Sequence, residues 1–271
     1  MIPLGDADRR PVRFPLVIIV LIAINIVMFL IELIGGDAFI NQWSLVPAEI
    51  VAGRGWITIL TAMFMHAGWM HIVGNMVFFW AFGPEIEDVM GPVRYQVFYL
   101  LGGLAATAGQ VLVDPGSTVP NLGASGAIAA VMGVFLITYP HDRIRTILLF
   151  GWFSRITFVP AIVLVGIWFL TQVFSELGAV VQTQSGGVAY MAHIGGFVYG
   201  MILGRLFEPR RWRAEQGWNR KRMRAEARLC LRRIAPCGGG GSSRIQTTLL
   251  LQPAWCSILP SSKLTCWCKY G

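Results

Sequence analysis

The sequence predicts an all-α polytopic membrane protein, a bundle of six transmembrane helices. Three observations carry that prediction. Hydrophobic residues make up 55% of the 271-residue chain and charged residues only 13%, about half the roughly 25% with which a soluble domain coats its surface. Six apolar segments are long enough, or nearly so, to cross a bilayer core about 30 Å thick as helix. Arginine clusters in alternate connections between them, as the positive-inside rule requires of a chain that crosses repeatedly. This composition excludes an ordinary soluble enzyme and a disordered chain.

In order along the chain, residues 1–13 form a short N-terminal segment bearing Arg9, Arg10 and Arg13. Residues 14–34 are a long, almost uninterrupted apolar run. Its length, and the lack of a small-residue cleavage site after it, argue against a removed signal peptide. Residues 69–82 are shorter and end at the Gly83-Pro84 break. Residues 93–113 end at Asp114-Pro115-Gly116, and 123–139 at Pro140. Residues 158–174 lie between Arg155 and Glu176, and 189–207 run into a basic tail. The six-helix domain is thus expected over 14–207. A basic, helical cytoplasmic tail follows at 208–233, then a Gly/Ser linker and a disordered stretch over 234–271.

The formal charge of +8 points to lipid rather than nucleic acid. Residues 1–204 hold 8 Arg, no Lys and 11 acids, whereas 205–271 hold 14 Lys+Arg and 3 acids. A cationic tail beside a last span is suited to anionic lipid headgroups. Arg143, Arg145 and Arg155 separate the fourth and fifth spans, and the alternate connections 35–68, 114–122 and 178–188 contain only Arg54. Both termini are therefore expected in the cytoplasm, with the chain in a plasma membrane of bacterial type. Acidic residues in 84–92 count little in this rule, and Glu87 and Arg94 read as capping or pairing groups at the cytoplasmic end. All five cysteines lie between Cys230 and Cys268, so the body needs no disulfide. Cys266-Trp267-Cys268 falls short of the four ligands of a structural zinc site.

The connection 35–68 is long for a bundle. It holds Trp43, Trp56 and an apolar stretch at 57–65, with Trp69 after it. Tryptophan favours the interface, so part of this loop is expected in the outer leaflet.

Polar groups within spans are costly and mark function. His71 and Asn75 share a helix face at the start of span two. Ser125 opens span four within Gly123-Ala124-Ser125-Gly126, and His193 lies near the start of span six. Spans two, four and six run from outside to inside. At about 1.5 Å per residue the four side chains fall within roughly 10 Å of one depth, just below the outer surface. Ser125 and His193 suit a nucleophile and its base. His71, Asn75 and the Ser125 amide suit donors to an oxyanion. No acid lies at that depth in these spans, which indicates a dyad. Glycines on span four and at Gly196, Gly200 and Gly204 on span six would let the two helices approach closely. Singly, each feature has a plainer reading: Gly-x-Ser-Gly and a lone His are common in packed membrane helices, and His66 and His71 also fit interfacial anchors, a reading that for His66 stands level with the functional one. Without an acid or cysteine among them, the histidines do not make a metal site.

His66-x-x-x-x-His71-x-x-x-Asn75, Gly123-x-Ser125-Gly126 and Ala192-His193-x-Gly195-Gly196-x-x-x-Gly200 resemble the motifs of the rhomboid intramembrane serine proteases. The turn after span two, from Phe82-Gly83 to Gly91, is also similar. The resemblance covers roughly 14–207 and implies a six-helix rhomboid-like fold. It implies that Ser125 attacks a peptide bond, that His193 is general base and then acid, and that His71 and Asn75 stabilise the oxyanion without any cofactor. It implies transmembrane protein substrates, cut near the outer boundary beside small, helix-destabilising residues. The fifth span and the outer loop at 183–188 would resemble the family's substrate gate.

The sequence departs from the family pattern twice. Trp56 is followed by Ile57 where many members have Trp-Arg. Ala129 stands four residues after the serine, where many have an aromatic that stacks on the histidine. Either another residue holds the His193 ring or the dyad is looser. The rival readings are a non-catalytic relative that binds transmembrane helices, against which the Ser125/His193 pair argues, and a six-span transporter. Against the transporter stand the lack of buried charge pairs and of an inverted repeat.

Overall fold

The computed structural model describes residues 1–150, 153–182 and 190–209. The expected tail from residue 210 onward and the outer loop at 183–188 lie outside them. The centre of the fold is α6 (Ser125–Thr138), in which Gly126 through Phe135 are all buried. A helix apolar on every face needs neighbours on every side. α4 (Trp69–Met90), α5 (Pro92–Val113), α7 (Ala161–Gln182) and α8 (Tyr190–Phe207) supply them, and α1 (Leu16–Trp43) packs on the outside of α4.

The α6–α8 contact is the closest in the bundle. A Cβ on Gly196 would strike the Gly126 carbonyl, one on Gly200 the Ala130 backbone, and one on Gly133 the Phe197 carbonyl. These glycines lie at the spacing the sequence indicated, and their missing side chains let the two backbones touch. Below them an aromatic layer closes the core, with Phe82 edge-on to Phe135 at 5.1 Å and Phe169 stacked on Phe197 at 4.4 Å. The outward faces are apolar too: Ile24, Val27 and Leu30 on α1, Leu101 and Leu104 on α5, Leu170 and Phe174 on α7, Ile202 and Leu206 on α8. Large aliphatic side chains on the outside of a bundle fit lipid rather than water. Among the described residues two helices, Leu16–Trp43 and Pro92–Val113, are long and apolar enough to cross a membrane by themselves. α6, at 14 residues, is about 21 Å long.

The structure corrects several boundaries. The Gly83-Pro84 pair does not end span two; α4 continues through Pro84 to Met90. Gly83 sits against Ile18 and the Tyr95 hydroxyl, where a side chain would collide. The turns beyond it are buried, so neighbouring helices hold a backbone that proline would otherwise break. The acidic stretch is therefore helix. Glu87 serves as a cap, as expected: its Oε1 and Oε2 accept the Val17 and Ile18 N–H groups, at 3.0 and 2.9 Å, in the first turn of α1. α1 runs past Ile34 to Trp43, with a kink at Gly36 (φ 59°).

The all-α prediction misses a small antiparallel sheet of β1 (Ile2–Asp6), β2 (Arg143–Phe150) and β3 (Phe153–Pro160), in the order β1-β2-β3. The fifth helix starts at Ala161 for that reason, not at residue 158. β2 alternates in the strand period: Ile144 and Thr146 are buried while Arg143 and Arg145 are exposed. Ile144 pairs with Val159 on β3 and with Asp6 on β1. Two ion pairs pin the N-terminal segment to this sheet end, Arg143 with Asp8 at 2.6 Å and Arg9 with Asp142. Asp6 Oδ1 accepts the Asp8 N–H at 2.7 Å, but its Oδ2 is buried without a partner among the described residues. Burial, reinforced by nearby Asp142, pushes the Asp6 carboxyl up to about 6.

The connection 35–68 is ordered. After α1 come α2 (Pro47–Val51), α3 (Thr58–Thr61) and a 3₁₀ turn (Ala62–Phe64). Leu45 and Asn121 exchange backbone hydrogen bonds at 3.0 and 2.7 Å, and Gly123 N–H donates to the Ala62 carbonyl at 2.8 Å. The loop thus ties down the segment that leads into α6.

Candidate active site

Ser125 is the first residue of α6, so its N–H has no acceptor within the helix. The approach to it is set by Gly123, at φ 137°, a region that L side chains rarely adopt. A Cβ at Gly123 would lie 3.0 Å from both Cε1 and Nε2 of His71 and 3.4 Å from Ser125 Oγ. The glycine therefore leaves room for the His71 ring edge beside the serine. His71 and Asn75 are the third and seventh residues of α4, and His193 is the fourth of α8. The four sequence-chosen residues all line one cavity of about 870 Å³, which reaches from Gly68 and Trp69 to Phe78, Met132 and Trp168.

Within it, Ser125 Oγ and His193 Nε2 are 2.6 Å apart, a hydrogen bond between residues 68 apart in sequence. The close α6–α8 packing makes that reach possible. His71 Nδ1 accepts the Ala67 N–H at 3.2 Å, so in the neutral ring the proton sits on Nε2, the edge next to Gly123. Asn75 is 8% exposed, and its Nδ2 has no partner among the described residues. A buried amide donor left free in a cavity is rare without a purpose. Nucleophile, acceptor and two unspent donors thus face one space, which is the equipment of acyl transfer.

Besides Tyr190 on α8, whose ring stands edge-on to the imidazole at 6.5 Å, two neighbours of His193 on α7 escaped the sequence reading. Its Nδ1 lies 2.8 Å from Gln172 Oε1 on α7. The Trp168 ring, also on α7, stands 6.0 Å from the imidazole and is inclined at 41°. Ala129 is fully buried and offers no ring, so α7 supplies the contact that span four lacks. The signal was present: Thr171-Gln172 is a polar pair inside an otherwise apolar span. Behind Ser125 a smaller cavity of about 50 Å³ is lined by Thr107, Gln110 and Asn121. Gln110 Oε1 and Asn121 Nδ2 are buried there without partners among the described residues, a setting that suits water.

His66 is no interfacial anchor. It is 1% exposed, its N–H donates to both Glu32 oxygens at 3.1 and 3.0 Å, and its ring meets that of His71 edge-on at 5.2 Å. Among the described residues no three His, Cys, Asp or Glu side chains converge as metal ligands would.

Residues 53–210 match the family described as Rhomboid domain. The chain is similar to the mitochondrial rhomboid protein 1 of Saccharomyces cerevisiae, 29% identical over 68% of this chain and 51% of that protein. It is 31% identical to the rhomboid protease GluP of Bacillus subtilis over 46% of this chain and 26% of that one. It is 26% identical to the mitochondrial presenilin-associated rhomboid-like protein of Bos taurus, over 53% and 36% respectively. The chain thus spans about half, or less, of the length of these relatives.

Proposed function

The chain belongs to the rhomboid family of helical polytopic membrane proteins, and we propose that it is an intramembrane serine endopeptidase working through a Ser125–His193 dyad. The observation that carries this is the 2.6 Å hydrogen bond between the two side chains, at the wall of a large cavity in an apolar-clad bundle. In the reaction Ser125 Oγ attacks the scissile carbonyl carbon while His193 Nε2 takes its proton. The tetrahedral oxyanion accepts hydrogen bonds from His71 Nε2–H, Asn75 Nδ2–H and the Ser125 amide. When the C–N bond breaks, His193 returns the proton to the leaving amine. Water, with its proton taken by the same nitrogen, then releases the acyl group.

The six long helices α1, α4, α5, α6, α7 and α8 are the proposed spans. The arginine distribution supports cytoplasmic termini in a plasma membrane, and it supports anionic lipid as partner of the cations from Arg205 onward. In that orientation α4, α6 and α8 begin at the outer side, and all four site residues lie within their first seven positions. Substrates are therefore proposed to be transmembrane proteins cut near their outer boundary. The test is cleavage, in reconstituted bilayers, of a transmembrane substrate with small residues near its outer end. Wild type should cut, and Ser125→Ala and His193→Ala should each be slower by at least about a thousandfold. Undiminished cleavage by Ser125→Ala would sink the dyad. A silent wild type would favour a helix-binding relative.

A further inference from the structure

We infer that Gln172 is the positioning residue of His193: it selects the tautomer in which Nε2 is free to accept the Ser125 proton. This rests on the protease reading for its consequence in turnover, but not for its geometry. The contacts at the other end of the side chain favour one amide orientation. Gln172 Nε2 faces the Trp168 carbonyl at 3.4 Å and Thr171 Oγ1 at 3.3 Å, both of which can accept, so Oε1 is the atom turned to His193 at 2.8 Å. An amide oxygen only accepts. Nδ1 must therefore carry a hydrogen and donate it, which in a neutral imidazole leaves the Nε2 lone pair for Ser125 Oγ–H. With the opposite tautomer, Nε2–H would meet the serine and no base would be present.

In serine hydrolases with a triad, a carboxylate performs this task and also stabilises the imidazolium. A neutral amide supplies the orientation without the charge. Trp168, one turn before Gln172 on the same helix, packs beside the ring and limits its rotation. The arrangement answers the absence of an aromatic at Ala129 and of an acid at this depth: two residues of α7 replace both. The Gln172–His193 bond also joins α7 to α8 directly, so a displacement of α7 from α8 releases the ring.

The test uses the full chain in bilayers, with Gln172→Met, which keeps the length of the side chain and removes the acceptor, and Gln172→Glu, which keeps an acceptor in place. The chain has 4 histidines, so ¹⁵N spectra of histidine-labelled protein are tractable, with His193 assigned by comparison with His193→Gln. Wild type should show His193 as the Nδ1–H tautomer. Gln172→Met should show a mixture, with kcat lower by roughly tenfold, the scale of one lost hydrogen bond, with KM unmoved and with a melting temperature lowered no further than the loss of that one α7–α8 bond accounts for. Gln172→Glu should restore the Nδ1–H signal. An Nε2–H tautomer in wild type, or an unchanged one in Gln172→Met, overturns the inference whether or not the protein cleaves. A wild-type kcat in Gln172→Met overturns it as well. A silent wild type with the expected tautomers would instead fault the protease reading and leave the positioning role standing.

Discussion

Substituting Gly196 by alanine should separate the dyad without touching either of its members. A Cβ at Gly196 would lie 2.9 Å from the Gly126 carbonyl carbon and would overlap the carbonyl oxygen outright, so the carbon contact, about 0.6 Å short of a normal separation of roughly 3.5 Å, sets only a lower bound on the displacement. The obstacle is backbone on a buried helix, which cannot swing away as a side chain could. α8 must therefore retreat from α6. Ser125 directly precedes Gly126, so its 2.6 Å bond to His193 opens to about 3.2 Å or beyond, where a hydrogen bond to nitrogen is at its limit. Overpacking of this kind costs about 1–3 kcal/mol, and the better helix propensity of alanine returns up to about 1 kcal/mol. The fall in melting temperature is then modest, and turnover is the sharper readout: a shift approaching 1 Å at reacting groups costs on the order of a hundredfold. The assay is the initial cleavage rate in bilayers alongside thermal unfolding, with Gly166→Ala as control, because a Cβ there meets nothing within 4 Å. A Gly196→Ala protein with wild-type rate and stability would refute the claim that glycine contact sets the dyad distance.

Two further predictions concern the end of the molecule opposite the site. Glu87→Ala removes the acceptor of two N–H groups in the first turn of α1 and should lower stability by about 1–2 kcal/mol, with Glu87→Gln between it and wild type; an unmoved melting curve would deny the cap. Asp6 is held at about 6 in the fold against 3.8 as its ordinary value, so between those pH values the folded protein binds a proton that the unfolded chain has released, and stability falls as pH rises through that window. Asp6→Asn keeps the Oδ1 acceptor and loses the charge: it should melt higher than wild type at pH 8 and equally below pH 4, and an equal difference at both would refute the burial argument.

Much of the site was legible because the chain punctuates its own helices. Asp114-Pro115-Gly116 and Pro140 bracket the segment holding Ser125, and arginine-bearing connections alternate with connections nearly free of positive charge. Depth along a helix then follows from counting residues. The span-six glycines were legible because small-residue spacing is a local pattern, whereas the helix that Glu87 caps, α1, lies about 70 residues away and only packing brings it there. The sheet was not legible: Arg143, Arg145 and Arg155 made 143–157 read as a connection between spans, and alternation over only eight residues is a weak strand signal beside long hydrophobic runs. The Pro84 break failed because proline ends a helix only where nothing else holds the turn. There Ile18, Tyr95 and burial on every side hold it.

Sequence by itself determined that four polar side chains stand near the starts of three apolar helices. That is a one-dimensional statement, and spacing and charge suffice for it. It could not say which helices are neighbours, nor what stands beside His193. Adjacency depends on which side chains are missing across a contact, and here glycine on both α6 and α8 brings Ser125 and His193 to 2.6 Å. The identity of the orienting group was decided the same way. α7 packs so that Gln172, a polar residue whose partner its own span does not name, meets the one ring nitrogen that the serine leaves unused.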